Sequence, residues 1–228
     1  MTGPAPIQAR IEEIASEIVR LQSELDREIF RRREALGWRL HEGLVEFEHG
    51  VVAEHRRLKR GAAAFIAGAP PATVLTAPVI YSLILPLALI DLWASAYQAI
   101  CFRAYRLPRV PRRDYMIFDR EALAYLNWIE RLNCWFCEYA NGVAAYVSEI
   151  ASRTEQYWCP IKHALKVTSP HQRYQAFVEF GDAEGYRDRL GRLRANLRAE
   201  PNGSMLGVST RSPDAESGGS PPPVSPDR

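Results

Sequence analysis

Cysteine is scarce in this chain, with four in 228 residues, which excludes a small secreted domain stapled by disulfides. A strong excess of one charge is missing as well. The formal net charge is +2, so no global field points to nucleic acid as a partner. The N-terminus, MTGPAPIQARIEEIASE, carries acids and lacks the apolar core of a signal peptide, so no cleaved targeting segment is expected. The motifs of familiar enzyme classes are absent: there is no GxSxG, no Walker loop, no HExxH and no strand-borne GxGxxG. No strand pattern stands out, and no repeat of 20 to 50 residues is visible.

Charge is also lacking locally. From Gly61 to Phe102 the only charged residue is Asp91, although the mean hydropathy of −0.23 for the whole chain hides this. The densest stretch, PATVLTAPVIYSLILPLALIDLW at 71–93, is long enough for a membrane segment, since about 20 helical residues cross a ~30 Å hydrocarbon core. A span of 73–92 leaves Asp91 near the headgroups, with Trp93 and Tyr97 as an interfacial belt. Pro86 removes its own N–H and frees the carbonyl of Ser82, which predicts a kink or break. Basic residues flank both ends, Arg56 to Arg60 before and Arg103 to Arg113 after. They give no orientation, but they suit anionic lipid heads. Two arrangements follow, a tilted transmembrane span or a re-entrant segment that turns near Pro86. The soluble alternative is a buried core helix.

Upstream, Ile7, Ile11, Ile14, Ile18, Leu21 and Leu25 recur at spacings of four and three, the a/d seam of a coiled coil. The pattern resumes at Leu36, Leu40, Phe47 and Val51 after an eleven-residue step, a stutter. Such a narrow stripe needs a partner helix, either from elsewhere in the chain or from a second copy. His41, His49 and His55 ride this helix at uneven spacing and read as solvated or interhelical.

Downstream of the Pro/Arg-rich linker RLPRVPRRDY, residues 119–137 read as a helix, and Asn141-Gly142 reads as its break. A second short helix at 143–152 follows, then a third beginning at CPIKHALK, then polar helix interrupted near Gly181. From Pro201 the chain is Gly, Ser, Pro and Asp with little to bury, so a disordered tail is expected.

The chemistry-bearing residues cluster in this region. Cys134 and Cys137 form a CxxC pair, and Cys159 and His163 follow in EQYWCPIKHA. Proline suits the first position of a helix, which makes Cys159 its N-cap, where the helix dipole favours the thiolate. His163 then lies one turn along the same face. The set C-x2-C-x21-C-x3-H is a Cys3His complement suited to Zn2+, with an iron–sulfur cluster as the alternative. One shared site requires the chain to turn at Asn141-Gly142 and to reverse again around 153–157, because a straight helix over 138–158 spans about 30 Å. The competing readings are core-facing thiols and a dithiol/disulfide pair. Cys101 suits packing or lipid modification rather than ligation. Glu138, Glu149 and Glu155 fall near the proposed site, but none begins the Glu-x-x-His pair of a di-iron bundle.

The runs DYMIFDREALAYLN, LNCWFCEYANG and RTEQYWCPIKHA, with TAPVIYSLILPLALIDLW before them, make the chain resemble a family of uncharacterised bacterial membrane-associated proteins over about 73–190. The resemblance implies a bacterial, membrane-associated setting and no particular reaction.

The expected architecture is therefore all-α. It comprises a coiled-coil-like helix at 1–60, a membrane segment at 61–105, a helical Cys3His domain at 106–200 and a tail at 201–228. The expected partners are the lipid bilayer and a second copy or partner helix through residues 7–58, with no nucleic acid. The expected role is a metal-binding adaptor or scaffold at the bacterial inner membrane, with the Cys/His domain cytoplasmic. The alternative role is a membrane thiol–disulfide or electron-transfer oxidoreductase.

Overall fold

The computed structural model describes residues 5–35, 38–41, 44–47 and 49–200, which fall into two compact units divided between Lys59 and Arg60. The structure is mostly helical.

In the first unit, α1 runs from Ala5 to Ala35 as a single helix. Its surface is laced by i,i+3 ion pairs such as Arg10–Glu13, Arg20–Glu17 and Arg31–Glu28. The seam residues Ile14, Ile18, Leu21 and Leu25 are all exposed. The side chains of Ile7, Ile11 and Leu40, and the whole of Leu36, lie outside the described residues. The expected continuation of the heptads is overturned. Strands β1 (Trp38–His41) and β2 (Leu44–Phe47) pair antiparallel instead, with Trp38 opposite Phe47, Arg39 opposite Glu46 and Leu40 opposite Val45. Trp38 and Leu40 in one strand and Val45 and Phe47 in the other stand two apart, with Arg39 and Glu46 between them, a spacing that suits one face of a hairpin. Helix α2 (His49–Leu58) follows, and His55 packs edge-on against Phe47 with ring centroids 5.1 Å apart.

The second unit opens with the short helix α3 (Ala62–Ala67), interrupted at Gly68–Pro70. From Pro71 to Tyr105 the chain is then helical throughout: α4 (Pro71–Ser82), α5 (Ile84–Tyr97), a π-turn at Gln98–Phe102 and the last turn α6 (Arg103–Tyr105). This helix is long and apolar enough to cross a membrane. The break expected from Pro86 is small, a single turn residue at Leu83 directly after Ser82, and the reversal of the re-entrant arrangement does not occur. Leu83 joins α4 to α5 in the right-handed region, bonding its N–H to the Ile80 carbonyl at 3.1 Å, and Pro86 lies in the first turn of α5. That position tolerates proline, since first-turn N–H groups have no partner within the helix.

The long helix ends in a Schellman motif. Arg106 adopts φ 56°, and Leu107 donates its N–H to the Phe102 carbonyl at 2.8 Å. Residues 107–127 return along the unit with two short 3-10 turns, where a helix over 119–137 was expected. The helix starts only at Trp128, because Asn127 and Glu130 form a reciprocal capping box there. Helix α7 (Trp128–Trp158) then runs for 31 residues. The core gathers where the two long helices meet, from Phe102, Leu107, Val110, Tyr146, Ile150 and Leu197. Inside it Gln98 mimics a backbone partner. Its amide donates to the Val110 carbonyl at 3.1 Å and accepts the Val110 N–H at 2.9 Å.

Beyond α7, Ile161 bridges Val178 in parallel, a 3-10 turn spans Gln172–Ala176, and α8 (Ala183–Ala199) closes the unit. The break near Gly181 occurs as expected, with Gly181 at φ 86°. The tail expected from Pro201 lies outside the described residues.

Candidate functional site

The four proposed ligands occupy two separate places. Cys134 (half-buried) and Cys137 (exposed) lie one turn apart in the first third of α7, and Cys159 (exposed) caps the far end of the same helix. The 22 residues from Cys137 to Cys159 cover about 33 Å at the helical rise of about 1.5 Å per residue, so the structure does not bring the CxxC pair to Cys159 and His163.

Both local signals that would have closed the site read differently in the fold. Asn141-Gly142 does not end the helix. The Asn141 side chain donates to the Cys137 carbonyl at 2.8 Å, and Gly142 is buried where the 115–116 segment crosses. Cys-Pro does not start a helix either. Cys159 is the C-cap of α7, its N–H bonded to the Glu155 carbonyl at 2.8 Å, and Pro160 is a buried stop. His163 stays exposed, stacked on Tyr174 at 6.1 Å, with its backbone N–H donated to the Tyr174 hydroxyl at 2.6 Å. Among the described residues, no group of three or more His, Cys, Asp or Glu is placed to share a metal ion.

What the structure does assemble is polar machinery that the sequence did not disclose. Asp91, the one charged residue between Gly61 and Phe102, is buried rather than at the headgroup edge of a free span. Arg112 grips it in a fork at 2.6 to 3.1 Å, and the Tyr139 hydroxyl donates to it at 3.1 Å. The carboxylate raises the Arg112 guanidinium above its ordinary value. Burial, then Asp91, pushes the Tyr139 phenol up. A charge this costly in an apolar run, followed by Arg112-Arg113 in the linker, was the available signal for the pair.

A second cluster locks the C-terminal part of the unit onto α7. Glu149 accepts from Arg153 and from Arg173, both at 2.8 Å, and Glu200 takes Arg173 in a fork at 2.6 and 2.9 Å. Burial opposes the Arg173 charge, but the hydrogen bonds to Glu200 and Glu149 outweigh it and hold the guanidinium above its ordinary value. Arg153 also donates to the Pro108 carbonyl at 2.8 Å. His171 pairs with Glu155 at 2.9 Å. Glu138 is buried beneath the Arg120 backbone N–H at 3.2 Å. These contacts tie segments together; none of the three glutamates gathers with the cysteines.

Among the described residues, the long helix also carries an unpartnered apolar surface. One side of the long helix holds Asp91, Gln98 and Phe102 inward, while Leu75, Val79, Leu85, Leu89, Trp93 and Ile100 stand exposed. Trp93 is 74% exposed and Leu85 73%, which rules out the buried core helix expected of a soluble chain.

No protein-family model, curated protein or solved structure matches the chain.

Proposed function

We propose that the chain is a membrane-attached scaffold. The observation that carries this reading is the exposed apolar face of the Pro71–Tyr105 helix. Each large aliphatic side chain left in water forgoes about 1.5–3 kcal/mol of burial free energy. A row of them on a well-packed unit therefore calls for a non-aqueous environment. The helix suits a lipid bilayer by length and composition. The setting we infer is a bacterial inner membrane, with the second unit on the cytoplasmic side, where a reducing environment suits its free thiols.

The scaffolding part of the proposal rests on α1. Its exposed Ile14, Ile18, Leu21 and Leu25 form a seam that a second helix would cover, either from another copy or from a partner protein. Cys134, Cys137, Cys159 and His163 do not converge, so the scaffold reading rests on α1 and the apolar helix and not on a shared metal.

Flotation of the full chain with phosphatidylcholine–phosphatidylglycerol vesicles through a density gradient tests the reading. Protein rising with the lipid is the expected result. Protein that stays at the bottom of the gradient, folded, would overturn membrane attachment.

A further inference from the structure

The apolar helix has the length of a transmembrane span, yet its neighbours are those of an interfacial one. From Tyr81 onward it is docked along α7. Tyr81 stacks edge-on against Phe136 at 5.7 Å and meets Asn133 through its hydroxyl. Asp91 then meets Tyr139, Ser95 meets Tyr146 at 3.1 Å, and Tyr97 meets Thr154 at 3.1 Å. Residue numbers rise together on both helices, so the two run side by side in the same direction.

This register limits what can enter hydrocarbon. Only 71–80, ten residues or about 15 Å of helix, extend before the first docked residue, against the roughly 20 residues that cross a ~30 Å core. Gly68–Pro70 interrupts the helix on the near side of that stretch. Pushing the helix further in, so that Tyr81 lay near the midplane, would carry the first turns of α7 with it. Those turns hold Glu130, exposed Arg131 and exposed Asn133. Charged groups at that depth are expensive.

The same register leaves one arrangement that covers the exposed face. Leu85, Leu89, Leu92, Trp93 and Ile100 lie on the side of α5 and the π-turn opposite Asp91, Gln98 and Phe102. The exposed cations Arg103 and Arg106 follow at the end of the same helix, a charge that suits anionic headgroups.

We infer that the protein is monotopic: the outward face of α5 lies in the plane of one anionic leaflet, with 71–80 dipping into it. The chain before Pro71 and the chain after Tyr105 then stay on one side of the bilayer. This rests on the membrane attachment proposed above and adds its geometry.

The test uses a full-length chain whose own cysteines are serine and which carries two new ones, Ser16→Cys in α1 and Ser148→Cys on the exposed side of α7. It is bound to sealed vesicles of equal parts phosphatidylcholine and phosphatidylglycerol and treated with a membrane-impermeant polyethylene-glycol maleimide. Same-side geometry yields chains with two adducts or none, whatever the orientation in the vesicles. Chains that carry one adduct each, at the same position, would show a spanning helix and overturn the inference while leaving membrane attachment intact. Failure to float with the vesicles would overturn both. Trypsin treatment of the unsubstituted chain in the same vesicles guards against a fold disturbed by the substitutions. Same-side geometry exposes both units to cleavage together, and protection of one unit alone overturns the inference.

Discussion

A Cβ on Gly142, in the middle of α7, would lie 2.7 Å from the carbonyl oxygen of Tyr115 and 2.8 Å from the Met116 sulfur. The closeness of these two chain segments keeps α7 and the 115–116 crossing in contact, and it explains a glycine inside a 31-residue helix. Alanine is the better helix former by about 1 kcal/mol, yet here it meets backbone that cannot rotate away. Gly142→Ala is therefore expected to destabilise the second unit by about 1–3 kcal/mol through overpacking. Urea denaturation followed by tryptophan fluorescence checks this; a stabilised variant would mean the crossing is loose.

Arg106 holds φ 56° to close the Schellman motif after α6, a conformation that costs a non-glycine residue about 1–3 kcal/mol. Arg106→Gly relieves that strain, although glycine gains freedom in the unfolded chain. The net expectation is a stabilisation of about 1 kcal/mol or less, read as a rise in the denaturation midpoint. The same variant weakens binding to anionic vesicles slightly, since one cation beside the leaflet is lost.

Arg173 is nearly fully buried between Glu149 and Glu200. Removing it leaves Glu200 without its guanidinium and Glu149 with Arg153 as its one remaining cation, beside the Ser152 hydroxyl. Arg173→Ala should cost about 3 kcal/mol. Hydrogen exchange should show faster opening at α8 and little change in α4. Uniform loss of protection across the unit would indicate that the ion cluster supports the whole core rather than the C-terminal part.

The seam of α1 gives a prediction about assembly. Ile18 and Leu21 are exposed, so Ile18→Asp with Leu21→Asp removes apolar surface without opening a core. Sedimentation of the detergent-solubilised chain should show an oligomer for the parent and a smaller species for the variant. An unchanged mass would remove the second copy as the seam's partner.

With α7 continuous, Cys159→Ser should leave the metal content of the anaerobically purified chain unchanged by mass spectrometry. About one zinc per chain, lost in the variant, would show that α7 breaks near Arg153 in solution and brings Cys159 back to the CxxC pair.

Elements whose signal is summed over many residues could be read from the chain before it folded. One charge in forty-two marks the apolar helix, and the four-and-three spacing over Ile14 to Leu25 marks α1, because neither needs a long-range contact to be read. Gly181 was legible because a left-handed φ is a local demand. Tertiary structure decided wherever the local signal was worth only about 1 kcal/mol and admitted two readings. Asn-Gly suits both a helix end and a close crossing, and the 115–116 segment selected the crossing. Cys-Pro suits both the first turn of a helix and the residue after its end, and the pairing of Ile161 with Val178 selected the end. Asp91 had no visible partner at 21 residues' remove until the chain folded back and placed Arg112 against it.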